Sequence, residues 1–229
     1  VYNAALNTAQ RVIVENYLSS RFSIDIASNG RDYFGFESTH EHDLAGIGRE
    51  DLSNYHARSF SGNILGLSGP DDMDDGEYLL VAHDGEAFSG WSDQELADTV
   101  VHLQRIEREW RVDETGDLGG VTLSVDTSLF AARPAGYDRF VLLVDEDGDF
   151  TSGAAVYEME SVQGDSIYEV PGIDLESGDY ITVGVVQPEL QFTSDNVYGF
   201  ETEDAILDYF LNYIPLEDVT FRYETVDGS

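Results

Sequence analysis

Asp145, Asp147 and Asp149 alternate around Gly148, just after an apolar run ends. Three carboxylates with intervening backbone carbonyls offer the oxygen-rich shell that calcium takes. The spacing departs from an EF-hand, because the glycine is misplaced and no bidentate Glu follows at the required distance. The same residues also spell an Asp-Gly hairpin turn. Both readings stand at this point: a calcium site, and a turn in a chain rich in acids. Asp71, Asp72, Asp74 and Asp75 form a denser group after Gly69-Pro70 and read as a solvated acidic loop. His40 and His42 put two imidazoles on one face of His-Glu-His-Asp. They lack the clear third ligand that a transition metal needs. His83, beside Asp84 at a strand end, reads as a hydrogen-bonded structural histidine.

Arg105, Arg108 and Arg111 surround Trp110. Strand alternation would put Arg105 and Arg111 on one face, with Arg108 and Trp110 on the other. Internal ion pairs to Asp or Glu are predicted for all three, since the guanidinium fork suits carboxylates. A sulfate or sugar-acid site is the functional alternative. Trp91, Trp110 and the many Tyr suggest a stacking platform for a glycan. No Ser-His-Asp order, nucleophile elbow, phosphate-binding loop or dinucleotide turn occurs. Paired carboxylates could hydrolyse a glycoside, but in so acidic a chain such pairs carry no information. No catalytic residues are assigned, and the chain reads as a non-enzyme.

The charge balance says where such a protein works. The 229 residues hold 46 acids against 11 basic residues, all of them Arg, for a net charge of -35. At low ionic strength such a surface repels itself, whereas at 1 M salt the Debye length falls to about 3 Å. The composition implies a protein built for brine, one that collects divalent cations, or both. Nucleic acid and anionic membrane surfaces make poor partners for a chain of this charge, so neither nucleic-acid binding nor membrane insertion is expected. Hydrophobic residues at 41% and aromatics at 12% supply a real core, which a disordered acidic tail lacks. The absence of Cys removes disulfides and thiolate metal sites. No apolar run reaches the roughly 20 residues of a membrane span.

The elements that must position these groups are mostly strands. Asn7 as N-cap and Gln10 as its capping-box partner open an amphipathic helix over residues 7–22. Ile13, Val14, Tyr17, Leu18 and Phe22 make its apolar side, and Asn16, Ser19 and Ser20 lie between them. Residues 28–39 read as a turn and a short strand. From about residue 41 the period changes to two. Strands are predicted over 77–82, 106–112, 121–125, 140–144, 154–159, 167–170 and 180–186, with a possible short helix in 91–104. Gly, Pro, Asp and Ser punctuate them at Gly116, Gly119, Gly136, Gly148, Gly172 and Gly178. Short strands at this spacing argue an antiparallel sandwich. After Pro188, three more strands (190–192, 205–213, 219–223) are too few for an independent sheet. The fold class is therefore all-β: an antiparallel β-sandwich with one N-terminal amphipathic helix and a partial second sheet at the C-terminus.

Ordered motifs carry a family resemblance. Asp43-Leu44-Ala45-Gly46-Ile47-Gly48-Arg49-Glu50-Asp51 is followed by Asp75-Gly76-Glu77-Tyr78-Leu79-Leu80, then Arg105–Val112, Leu143–Phe150 and Gly178–Thr182. Together they resemble an uncharacterised β-sandwich module of large secreted bacterial surface proteins. Residues 1–40 resemble the tail strand and helix of a laminin-G or concanavalin-like domain, and 188–229 the first half of a Calx-beta-like domain. The resemblance implies three segments, 1–40, 41–187 and 188–229, taken from a longer multidomain protein. It implies adhesion or architecture at the cell surface and no catalytic residues.

The function expected is a non-catalytic structural module of a secreted cell-surface or extracellular filament/adhesion protein adapted to high salt, with calcium as its cofactor. Its partners would be neighbouring domains or other subunits, as a homo-oligomer or filament built by strand addition. Alternatives are a carbohydrate-binding adhesin module and a capsid or spike protein of a virus with a halophilic host.

Overall fold

A computed structural model describes residues 5–96, 103–162, 166–187, 190–192 and 209–211. Helix α1 (Thr8–Phe22) opens the chain. Asn7 caps it as the sequence predicts: its side chain accepts from Gln10 N at 2.9 Å, and its own N–H donates to Gln10 Oε1 at 3.1 Å. Ser23 closes it in the left-handed region, at φ 52°.

Strands follow in chain order: β1 (His42–Asp51), β2 (Asn54–His56), β3 (Arg58–Ser61), β4 (Leu65–Ser68), β5 (Glu77–His83), β6 (Leu103–Arg105), β7 (Trp110–Thr115), β8 (Val121–Asp126), β9 (Arg139–Asp145), β10 (Ala155–Glu158), β11 (Glu160–Ser161), β12 (Ile167–Ile173), β13 (Tyr180–Val186), β14 (Leu190–Phe192) and β15 (Tyr209–Leu211). One sheet runs β10-β9-β13-β7-β5-β1-β2, with β6 also on β13; the second runs β11-β12-β8-β4-β3. All the pairings are antiparallel, so the all-β sandwich with one N-terminal helix is the observed fold. β14 pairs with β15 as a separate two-stranded sheet. The other strands read in the C-terminal segment lie outside the described residues.

Period-two alternation explains the layers. Along β9, Phe140, Leu142 and Val144 enter the core between the sheets, while Val141 and Leu143 join a cluster on the outer face with Leu103, Phe150 and Val186. Along β5, Leu79 and Val81 point inward, and Tyr78, Leu80 and Ala82 point outward beneath α1. The first sheet is thus buried on both faces at these strands, which is why they read as continuous apolar runs. Gly46 and Gly48 of β1 follow from the same packing. A Cβ on Gly48 would lie 2.2 Å from the Tyr78 ring, and one on Gly46 2.2 Å from Leu80.

Two local expectations are overturned. Residues 28–39 contain no strand: Ala27–Asn29 is a 3-10 turn, 35–39 are turn, and Phe34 is buried under the helix. The helix is also rotated from its apolar pattern, burying Ile13 and packing Tyr17 inward but leaving the C-terminal part of that pattern outside. Ala9, Val12, Ile13, Asn16, Ser19 and Ser20 are buried, while Leu18 and Phe22 are exposed. Hydrogen bonds decide this. Asn16 Nδ2 donates to Val12 O and Arg31 O, its Oδ1 accepts from Tyr33 N, and Ser19 donates to Ile24 O. These side chains satisfy the backbone of the loop beneath the helix, which would otherwise be buried unpaired.

Each open side of the sandwich is a short chain segment that leaves one sheet and enters the other. On one side, β2 passes through Ala57 into β3; on the other, β10 passes through Met159 into β11. The start of α1 covers the first side, where Asn7 Nδ2 donates to Tyr55 O at 2.9 Å. Along β10, Ala155, Val156 and Glu158 are exposed, and Glu158 pairs with Arg139.

Candidate functional site

The Asp145–Asp149 segment is an Asx-rich turn with Gly148 at φ 82°. Asp145 Oδ1 accepts from Asp147 N at 3.0 Å and Gly148 N at 2.7 Å. Asp147 accepts from Asp149 N, and Asp149 from Thr151 N. Each carboxylate binds the amides just ahead of it, so the three do not converge. Local turn bonding also holds the Asp149 carboxyl below its ordinary range, through Thr151.

What the fold brings to Asp145 is the start of β13, since Asp145 pairs with Tyr180. The buried Asp145 and Asp179 line a cleft of about 460 Å3 with Glu146, Asp174 and Glu176. Burial pushes the Asp179 carboxyl up, and Glu176, Glu146 and Asp145 push the same way, against the hydrogen bond from Glu176 N. The cleft is a well of negative potential open to solvent cations. Among the described residues, no group of three or more His, Cys, Asp or Glu side chains is arranged to hold a metal ion. Asp179 has no local sequence signal linking it to Asp145; only the register of β9 with β13 does.

The histidines take structural positions. His83 Nδ1 accepts from Gly85 N at 3.0 Å, so Nε2 carries the hydrogen and meets Asp43 Oδ2 at 3.3 Å. The ring stacks on His42 at 5.5 Å and meets Trp110 edge-on at 5.9 Å. Burial lowers its pKa to about 4, and the charge of Arg108 acts the same way against Asp43. Both nitrogens are engaged, which leaves none to act as a general base. Asp43 holds a left-handed backbone, φ 47°, to reach the ring. His40 is buried separately, edge-on to Tyr180, and burial lowers its pKa to about 4 as well. The face predicted to hold His40 and His42 together is not formed; His42 partners His83 instead.

Around Trp110 the expected single strand is broken. β6 ends at Arg105 and β7 begins at Trp110, with residues 106–109 between them. Arg105 makes the predicted ion pairs, with Glu95 and with Glu109, the latter at 3.0 Å. Arg108 and Arg111 choose aromatic rings. Arg108 lies 4.5 Å over Phe88 and donates to Glu86 O, and Arg111 lies between Phe36 at 3.8 Å and Tyr180 at 4.7 Å. Arg105 and Glu109 line a cleft of about 280 Å3 with Asp84, Glu86, Glu95 and Glu107. Burial pushes Glu109 up to about 7, helped by Asp84 and Glu95 and opposed by Arg105. Its near neighbour is a cation already paired to it, not a nucleophile.

Trp110 is removed from the expected stacking platform, whereas Trp91 is half-buried at the core's rim. Trp110 is fully buried, with its Nε1 donating to Ser61 Oγ at 3.0 Å. Trp91 packs against Phe130 and Phe140 and donates to Ala132 O. The indoles belong to the core and its rim.

Chemically, these sites can attract cations and hold buried charge; they do not align a base with a nucleophile. Among the described residues, no helix is long and apolar enough to cross a membrane. Residues 10–179 match the profile of one protein family, described as Domain of unknown function (DUF8202). No curated protein and no solved structure matches.

Proposed function

We propose that this chain, which belongs to the DUF8202 family, is a non-catalytic structural module of a secreted cell-surface or filament protein, working at high salt. One observation carries the reading. A double-sheet core carries surface acids whose polar neighbours are turn amides and a paired arginine, as in the Asp145 turn and the Arg105–Glu109 cleft. A spacer needs a rigid core and tolerates such a coat when ions screen it. Strand addition at the open edge β10 is the route to filaments that this reading favours. Calcium is to be sought in the cleft of Asp145 and Asp179, rather than among Asp145, Asp147 and Asp149 alone.

Thermal unfolding tests the reading. Raising KCl from about 0.05 M to about 2 M should raise the midpoint by about 10 °C or more. A midpoint independent of salt would contradict it. At fixed ionic strength, calcium should add a further few degrees over magnesium if the cleft is selective. Equal effects of the two ions would reduce the cleft to general screening.

A further inference from the structure

Among the described residues the carboxylates thin out around the helix and the first four strands. Residues 1–70 hold five of the eleven arginines but only eight of the forty-six acids. They supply α1 and β1–β4. Here Leu18, Phe22, Ile24, Tyr55 and Phe60 are exposed, Phe22 to 64%. Between the helix and β1–β3 lies a groove of about 440 Å3, lined mostly by apolar side chains such as Val14, Tyr17, Leu44 and Phe60, with Gln10, His56 and Ser59 as its polar members and no acid among the described lining residues. Exposed apolar side chains gathered beside a mostly apolar groove mark an interaction surface.

We propose that this face docks a second copy of the chain through a two-fold contact of α1 with α1. The inference rests on the structural reading above and names the partner surface. Charge selects the occupant. Two copies of a chain of net charge -35 repel wherever their acidic faces meet. This face is the one that carries both signs in near balance. The helix itself is self-complementary. Arg11, Glu15, Leu18 and Phe22 fall on one stripe at i, i+4, i+7 and i+11. In an antiparallel pair whose axis passes at Leu18, the residues three positions either side, Glu15 and Arg21, oppose one another. Those four positions either side, Val14 and Phe22, do the same. Each copy then sets Phe22 against the groove-lining Val14 of its partner and closes two Glu15–Arg21 pairs. Arg21 is exposed and lies 3.1 Å from His42 Nδ1, its one side-chain hydrogen-bond partner among the described residues.

The test is sedimentation velocity of the full chain in about 2 M KCl, where repulsion is screened. The wild type should sediment as a dimer at tens of micromolar. Phe22→Ser should raise the dissociation constant by roughly 30-fold or more. Glu15→Arg and Arg21→Glu should each weaken the dimer, and the double variant should restore it. That rescue is a result that mere damage to the helix would not give. Val156→Ser, on the open β10 edge, should leave the dimer unchanged. A wild-type monomer at these concentrations overturns the proposal, as does a dimer broken by Val156→Ser and not by Phe22→Ser. Its failure is distinct from failure of the structural reading, which is judged by the salt dependence of melting in the same monomer.

Discussion

The sandwich has two unlike sides. Around β9–β13, Asp145, Glu146, Asp174, Glu176 and Asp179 crowd one cleft, and Asp179 is pushed toward protonation by burial and its neighbours. Around α1 and β1–β3, the groove is mostly apolar, and Arg11, Arg21 and Arg58 are exposed. Net charge treats the molecule as uniform, and the structure does not. The carboxylates are a local arrangement: they crowd one side, while apolar side chains are exposed on the other.

The largest effect tests what the two sides share. Trp110 lies at the centre of the inter-sheet core and hydrogen-bonds Ser61. Trp110→Ala should cost about 3–5 kcal/mol in urea unfolding at high salt. Both sides should melt together; survival of one would show two independent units and break the comparison.

Acid sharpens it next. His83 and His40 are lowered to about 4 from an ordinary 6.5. The unfolded chain therefore binds protons first as pH falls. Their contribution to stability is complete above about 6.5 and is lost toward 4, roughly 3 kcal/mol for each. Glu109, raised to about 7, acts oppositely: it favours the fold below its unfolded value near 4.5 and loses that as pH rises toward 7. Urea titrations from pH 7 to 4 should show stability falling overall, and His83→Gln should flatten the slope. An unchanged slope would mean that His83 is charged in the folded state.

The smallest effect concerns repulsion alone. Asp179→Asn keeps an acceptor for Glu176 N and removes a charge from the cleft. It should raise the melting midpoint by about 2–4 °C at low salt, roughly 1 kcal/mol, and by almost nothing at high salt. An equal gain at both salts would point to packing, not charge.

Much of the framework was legible because it is local. The capping box of Asn7 and Gln10, the strands β5, β8, β9, β10, β12 and β13 and the glycine-marked turns follow from period and turn chemistry, whereas the short β6 and β11 and the break before β7 do not. What escaped depends on distant partners. The helix turned Asn16 and Ser19 inward because the loop at 24–33 needs their hydrogen bonds, and no periodicity encodes that. Phe34 looked like a strand residue and is a contact of the second core. Arg108 and Arg111 found Phe88, Phe36 and Tyr180 in place of carboxylates, which depends on rings brought together from remote segments. The candidate site was read as a run in sequence, Asp145 to Asp149. In space Asp145 belongs with Asp179 across the β9–β13 register.

Hydrogen exchange at two salt concentrations tests the central claim most directly. On dilution from about 2 M to about 0.05 M KCl, amides of β10, β12 and the β9 and β13 ends near Asp145 and Asp179 should lose protection first, while those of α1 and β1 hold. Uniform loss across both sides, or earlier loss in α1, would contradict the account.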